Sequence, residues 1–482
     1  MTPVKRRDFI VMIKFGTGGF RGIIGDDFIR SNLEMIALAM VQLLKQKHEE
    51  KSPVVIGYDR RFLSDLSARW IACVFAAAGI EVHLISHDAP TPMIMYQVKQ
   101  ENACFGLAIT ASHNPAEYNG VKVFTKGGQD ASRPVTDEIE AQMAKLRPSE
   151  IKTLDYEEAL SSGLIKEIDP QNDYIDSILK IIDTAAIKKG NLKILLDPMF
   201  GVSRTTLQTI LLTCRCNVDV MHDRHDPLFG GRLPSPSIKT LGHLSQRVVQ
   251  DKYDLGIATD GDADRIGLID QNGAFIHPND ILVLLYYYLH EFKGWKGAVV
   301  RNVATTHCLD RMAGSFGEQC HEVPVGFKYI SSEMEETDAL IGGESSGGLA
   351  VRGHIHGKDG IYAGALLIEM RSVMKKSFSE TLENIHGKYG SFVMHETDFH
   401  MTPKHKEKLL SFLFEDRALP AFPWKIDRIS YLDGCKVYFK NGGWVICRFS
   451  GTEPLLRIYG EMDHAVDASK ACRIFQDFLS LQ

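Results

Sequence analysis

Hydrophobic and polar positions along this chain alternate between two periods. Residues 104–109 form an apolar run closed by turn residues, the mark of a buried strand. Before it, Leu33, Ile36, Ala37, Met40, Leu43 and Leu44 recur at helical spacing and predict a helix over 32–47 behind an Asn/Ser start. A strand at 53–58, a helix at 65–78 ended by Gly79, and a strand at 81–85 complete a βαβ alternation leading to the 104–109 run. Composition turns polar and loses its period around 147–163, an expected boundary. The alternation then resumes twice. Strands are expected at 192–196, 218–221 and 255–258, and again at 298–300 and 339–341, with a helix at 309–316. Each unit ends in a polar loop behind a strand, so we read a degenerate threefold repeat. In parallel α/β sheets ligands gather at the C-terminal ends of strands, so three such loops would face one cleft.

After about residue 374 the pattern changes. Residues 435–439 and 444–449 flank Asn441-Gly442-Gly443, a strong hairpin signal, and a helix is expected over 465–479. The expected fold is therefore α/β: three similar mixed α/β domains (1–150, 151–272, 273–374) and a smaller C-terminal α+β domain (375–482) around a central cleft. A length of 482 residues accommodates them.

Composition narrows the partners. A net charge of −6 argues against general nucleic-acid binding while leaving room for local basic pockets. The nine cysteines are scattered without a Cys-x-x-Cys pair, and buried thiols in a reducing compartment are expected. The apolar run at 9–13 is too short for a signal peptide, and those at 70–80 and 281–289 are too short to span a bilayer, so a cytoplasmic protein without a membrane partner is expected.

The loops carry the chemistry. Thr110-Ala111-Ser112-His113-Asn114-Pro115 presents a serine at the mouth of a strand, where it is placed to act as a nucleophile with His113 adjacent; a capped turn is the plainer reading. Gly16-Thr17-Gly18-Gly19-Phe20-Arg21-Gly22 misses the dinucleotide fingerprint, because Arg21 stands where the third glycine belongs. It reads either as a phosphate-wrapping loop or as a flexible connector. Asp260, Asp262 and Asp264 follow an apolar strand at alternating positions. They suit Mg²⁺, and three such carboxylates repel one another unless a cation binds. Arg265 and Gln271 stand where an EF-hand needs Gly and Glu, which excludes that motif. Glu344, Ser345 and Ser346, within the glycines of 342–348, are suited to bonding several hydroxyls of a polyol. His354, His356, Lys358 and Asp359 behind them can move protons near neutral pH if suitably tuned. Arg448, Ser450, Gly451, Thr452 and Arg457 combine two guanidinium groups, hydroxyls and a glycine into a phosphate cradle. A nucleophile, a divalent metal, a hydroxyl-binding loop and a phosphate clamp together suggest phosphoryl transfer on a phosphorylated sugar.

These motifs, in this order, resemble the α-D-phosphohexomutase family (phosphoglucomutase/phosphomannomutase), over essentially the whole chain. The resemblance implies a mobile fourth domain and a Ser112 that is phosphorylated at rest. The phosphoserine would donate to one end of a hexose monophosphate, giving a hexose 1,6-bisphosphate that returns its other phosphate to Ser112. It implies Mg²⁺ on Asp260, Asp262 and Asp264 with Ser112, and glucose 1,6-bisphosphate as activator and intermediate. Arg21, His113 and Lys122 match residues lining the phosphoserine site. Glu344 and Ser346 match the grip on the sugar 3- and 4-hydroxyls, with Lys328, Arg265 and His354 also at substrate-binding positions. Arg448, Ser450, Gly451, Thr452 and Arg457 match the site of the non-transferring phosphate. The chain has Gly348 where some dual-specificity and glucosamine enzymes carry histidine. The segment Gly353-His354…Lys358-Asp359-Gly360 looks like phosphoglucomutase-type members, whose lysine aids proton transfer. The expected reaction is thus interconversion of glucose 1-phosphate and glucose 6-phosphate by a monomer or homodimer. A mannose or dual-specificity enzyme is the alternative, and a glucosamine-phosphate mutase is more remote.

Two rivals compete. A haloacid-dehalogenase-type phosphatase would use Asp260 as nucleophile and Asp262 as acid, but it leaves Ser112 unexplained. A silent sugar-phosphate-binding protein would have no need of Ser112, the aspartates and Lys358.

Overall fold

The computed structural model describes residues 13–16, 19–450 and 455–481. They divide into two compact units.

The first unit runs to Pro170 and also includes Asp226–Leu233. At its centre Val54–Tyr58 lies between parallel neighbours, Val82–Ile85 and Phe105–Ile109, and Tyr118–Thr125 returns antiparallel beside Phe105–Ile109. Parallel neighbours need crossover connections, whose helices cover the sheet and make its strands continuous apolar runs. Arg30–Gln46 and Ser64–Ala77 are two of the helices packed in this unit. The first starts two residues before the expected position, behind Ile29 rather than an Asn/Ser cap. Ile165–Ile168, beyond the expected boundary, joins this same sheet alongside Val82–Ile85. Its exposed-residue pattern explains why no strand was expected there. In its described part the glycine-rich stretch is paired strand rather than a flexible connector: Phe15–Gly16 pairs with Gly19–Ile23, which in turn pairs with Tyr118–Thr125.

The second unit holds three sheets. In one, Lys193–Asp197 lies between parallel Asn217–Val220 and Leu255–Thr259, and Ile266–Asp270 returns antiparallel. In the next, Val299–Asn302 lies between parallel Cys320–Val323 and Ile341–Gly343, and Leu349–Val351 returns antiparallel. Taken with the first unit, the same spatial order of strands, second-first-third-fourth, occurs three times. The threefold repeat expected from pattern is present, and each chemistry-bearing loop joins the third strand to the fourth. One strand lies later than expected. Gly342 and Gly343 pair within it, and they are glycines because a Cβ at Gly342 would strike Ile330 and Met334, and one at Gly343 would strike Leu282.

The C-terminal sheet is antiparallel, in the order Val393–His400, Leu455–Met462, Trp444–Phe449, Cys435–Phe439, Ile426–Ser430, with helix Ala465–Phe478 packed on it. The expected hairpin around Asn441–Gly443 is there. Tyr438, Trp444, Ile446 and Tyr459 form a joint core with Val303 and Ala304 of the third repeat. Beside it lies a buried ionic cluster. Arg301 donates to Asp310 (2.7 and 2.8 Å) and Glu322 (2.6 Å), and Lys436 Nζ donates to Glu322 (2.8 Å) and the Val303 carbonyl (2.6 Å). Burial lowers the Lys436 pKa to about 7. At Glu322 burial is outweighed by His307, Arg301 and Lys436, which hold its carboxyl far below the usual range. All nine cysteines are free thiols, seven of them buried. Among the described residues no helix is long and apolar enough to cross a membrane.

Candidate functional site

Ser112 stands at the C-terminal end of a central strand. The chain leaves Phe105–Ile109 with the Thr110 N–H bonded to the Gly120 carbonyl (3.0 Å) and turns into the left-handed region at Ser112, φ 52°. A non-glycine residue held there stores of order 1–3 kcal/mol and needs surrounding structure to keep it. That structure is local. The Ser112 N–H donates to Thr110 Oγ1 (2.8 Å), and Ser112 Oγ lies 3.3 Å from His113 Nδ1. Arg61 Nη2 donates to the carbonyls of Ser112 and Asn114 (both 2.6 Å), and Nη1 to those of Pro115 (2.7 Å) and Tyr118 (2.9 Å). Asp59 accepts from Thr110 Oγ1 (2.6 Å), Ser64 Oγ (2.8 Å) and the Arg61 N–H (2.9 Å). Burial raises the Asp59 pKa against the pull of Arg61 and these donors. The Phe229 ring covers the guanidinium, 4.8 Å from ring centroid to Cζ.

Sequence reading missed Arg61 and Asp59. The signal was Tyr58-Asp59-Arg60-Arg61, charges placed directly after the strand parallel to the serine strand. Strand register opposes Arg21 to Gly120 and Gly19 to Lys122, so Arg21 and Lys122 share one sheet face. Gly120 has to be glycine because a Cβ would strike the Phe20 carbonyl and crowd the Thr110 carbonyl.

Asp260, Asp262 and Asp264 follow the equivalent strand, Leu255–Thr259, and all three are buried. One carboxylate oxygen from each lies within 4.8 Å of the others. Clustered hard oxygens, withdrawn from water, fit a divalent cation of the Mg²⁺ class. Asp260 accepts the Arg265 N–H (3.0 Å), and Lys358 Nζ lies 2.6 Å from Asp264 Oδ2. Helix Gly360–Met374 begins on this loop. The Gly360 N–H donates to the Ala263 carbonyl (3.1 Å), and a Cβ there would strike the Arg265 carbonyl.

The sugar-loop candidates close onto the same place. Glu344 N–H donates to the Gly348 carbonyl (3.0 Å), Arg265 and Gly348 form an antiparallel bridge, and the Ile266 N–H reaches the Gly347 carbonyl (3.1 Å). Glu344 Oε1 accepts from Asn302 Nδ2 (3.1 Å) and the Gly326 N–H (3.0 Å), and Ser346 Oγ lies 3.4 Å from Oε2. Asn302 is a second residue that sequence reading missed; it stands at the end of the strand parallel to the sugar strand. Lys328 opens helix Phe327–Thr337 one residue in. A Cβ at Gly348 would strike the Lys358 stem, so the glycine at this position and the lysine belong together. His354, expected at a substrate-binding position, lies on the segment just before Lys358. It is 4% exposed, its Nε2 is 3.0 Å from Asp359 Oδ2, and Tyr174 Oη donates to both oxygens of Asp359 (2.8 and 2.9 Å). Asp359 in turn caps the helix that follows Lys358. These bonds make His354 part of the support for the Lys358 segment.

In the C-terminal sheet Arg448 and Arg457 are directly opposed across an antiparallel pair. Like charges so placed destabilise a sheet and favour an anion nearby. Arg448 Nη2 donates to Asp433 (3.1 Å), while its buried Nε has no hydrogen-bond partner among the described residues. Arg457 Nε lies 4.0 Å from Asp398. Ser450 is buried, with its N–H on the Leu455 carbonyl (2.8 Å). Gly451 and Thr452, expected to complete this clamp, lie outside the described residues.

Comparison with known proteins gives matches over most of the chain. Residues 12–150, 172–273 and 277–389 match the models of phosphoglucomutase/phosphomannomutase alpha/beta/alpha domains I, II and III, and residues 417–477 match that of the C-terminal domain. A phosphoglucomutase/phosphomannomutase of Thermococcus kodakarensis is 32% identical over 93% of this chain and 94% of its own. A phosphoglucosamine/phosphogalactosamine mutase of Sulfurisphaera tokodaii is 29% identical over 93% and 94%. A crystal structure from Thermus thermophilus, assigned to the phosphomannomutases, superposes with a TM-score of 0.84 at 29% identity, over 97% of this chain and 99% of that one.

Proposed function

Because the chain belongs to the phosphoglucomutase/phosphomannomutase family, whose members are phosphohexomutases, we propose that it interconverts glucose 1-phosphate and glucose 6-phosphate through a phosphorylated Ser112. The observation that carries this reading is Ser112 itself, held in a left-handed turn at a strand end by Arg61 and Thr110.

In the proposed cycle a free sugar hydroxyl attacks the Ser112 phosphoryl group. The new P–O bond forms as the bond to Ser112 Oγ breaks, and the hydroxyl proton ends on the departing Oγ, with Lys358 aiding the transfer. The resulting glucose 1,6-bisphosphate presents its other phosphate to Ser112, and the same bond changes run in reverse. Arg21, His113 and Lys122 stabilise the phosphoserine, Glu344 and Ser346 orient the sugar hydroxyls, and Arg448, Ser450, Gly451, Thr452 and Arg457 hold the non-transferring phosphate. Asp260, Asp262 and Asp264 would hold Mg²⁺, which when bound offsets phosphoryl charge.

Glucose is favoured because Gly348 and the segment carrying Lys358 resemble phosphoglucomutase-type members. A hexosamine phosphate is the second reading, because relatives of similar identity are named as hexosamine-phosphate mutases. Glucose 1-phosphate, mannose 1-phosphate and glucosamine 1-phosphate, assayed in parallel with Mg²⁺ and the matching bisphosphate, test both readings. The highest kcat/KM is expected for glucose 1-phosphate; a higher value for glucosamine 1-phosphate would replace the first reading with the second.

A further inference from the structure

Glu344 and Arg448, proposed to grip opposite parts of one substrate, sit on different sheets, yet two consecutive peptide groups connect them. The Gly326 N–H donates to Glu344 Oε1 (3.0 Å), and the Val325 N–H donates to Asp433 Oδ2 (2.8 Å). The same Asp433 carboxylate accepts Arg448 Nη2 (3.1 Å). Asp433 precedes Gly434, whose φ of +100° and close packing on Arg448 leave no room for a side chain: a Cβ there would lie 2.6 Å from Arg448 Cβ. The turn carrying Asp433 is therefore built around this arginine.

We infer that Asp433 is a positioning residue that sets the phosphate clamp in register with the sugar loop, through the Val325–Gly326 peptides. It accepts from Nη2, at one end of the guanidinium, while the buried Nε has no hydrogen-bond partner among the described residues. A planar guanidinium fixed by one nitrogen presents its remaining donors in a defined plane, which is what two-point recognition of a phosphate requires. Because the Val325 and Gly326 peptides are adjacent, a shift of the Asp433 turn moves the donor on Glu344 as well. The two grips are then energetically one element, and their contributions to binding a hexose phosphate do not multiply independently.

The inference rests on the proposed function, and its test separates the two. In the full-length chain carrying Ser112→Ala, to prevent turnover, glucose 1-phosphate affinity is measured by calorimetry for Asp433→Asn, Glu344→Gln and the double variant. Each single change is expected to weaken binding by about tenfold or more, the scale of a hydrogen bond to a charged group. The double variant should fall short of the product of the two losses by at least about threefold. In the Ser112 protein, Asp433→Asn should raise KM more than it lowers kcat, and Asp433→Ala should do so more strongly, because Asn still offers an acceptor to Val325. If Asp433→Asn loses its cooperative melt, Arg448→Lys paired with Glu344→Gln supplies the same cycle and the same shortfall. Losses that multiply independently overturn the inference while leaving the function intact. If the Ser112→Ala chain binds none of glucose, mannose or glucosamine 1-phosphate, the function fails and the inference with it.

Discussion

The Ser112 loop and the Asp260–Asp264 loop leave equivalent strands of a repeated four-strand arrangement, and they solve opposite electrostatic problems. The serine loop is shaped by a cation: Arg61 gathers four carbonyls, and Asp59 receives three donors behind it. The aspartate loop gathers three buried carboxylates within 4.8 Å, with Lys358 against one of them. A repeated scaffold thus supplies a location, and the loop residues decide the chemistry placed there. The first loop is held by neighbouring protein groups, whereas the second gathers carboxylates that fit an added cation.

This contrast can be pressed from either side. The largest effect belongs to Ser112→Ala, which should lower turnover at least about a thousandfold with a melting temperature close to wild type. Asp262→Asn should lower turnover by about a hundredfold or more and raise the Mg²⁺ concentration needed for half activation. Chelation of the wild type should abolish activity reversibly while leaving the serine loop folded. Undiminished activity under chelation would break the contrast at its metal side.

Arg61→Ala should cost about 3–5 kcal/mol in urea unfolding, because it strands a buried Asp59 carboxylate and four carbonyls. Arg61→Lys should recover part of the charge term and little of the forked geometry. If Arg61→Ala instead unfolds like wild type, the serine loop is not held as described.

The smallest effect concerns a carboxyl outside both loops. Burial pushes Asp280 up to about 7, with the Glu461 charge adding to it, and the nearest His386 nitrogen is 3.7 Å away. Between about pH 4, the unfolded value, and pH 7 the folded state keeps a proton that the unfolded state has lost. Stability therefore falls as pH rises through that window. Asp280→Asn removes the fall, so its melting temperature should exceed wild type by more at pH 8 than at pH 5. An equal difference at both values would place the titration elsewhere.

The same contrast explains what was legible beforehand. Asp260–Asp264 is contiguous, and three carboxylates after an apolar strand announce a cation site directly. Ser112 was legible as a position, but its support was not, because Arg61 acts from a neighbouring strand end 51 residues away. Asn302 is hidden for the same reason, 42 residues from the Glu344 it touches. Parallel neighbours are linked by crossovers, so contacts at their ends are remote in sequence. The repeat itself was readable from apolar runs, while Ile165–Ile168 was not, since only Ile165 in it is fully buried. The glycines at 342 and 343 read as a loop, because helix packing against a strand leaves no pattern beyond the missing side chains.

The most direct test of the central claim is to follow the chain itself. The full-length protein is incubated with Mg²⁺ and glucose 1,6-bisphosphate, digested, and mapped by peptide mass spectrometry. One phosphoryl group is expected, on Ser112, and it disappears when excess glucose 1-phosphate or glucose 6-phosphate is added. Mutase turnover with Ser112 unmodified throughout, or with the phosphoryl group on another residue, would contradict it.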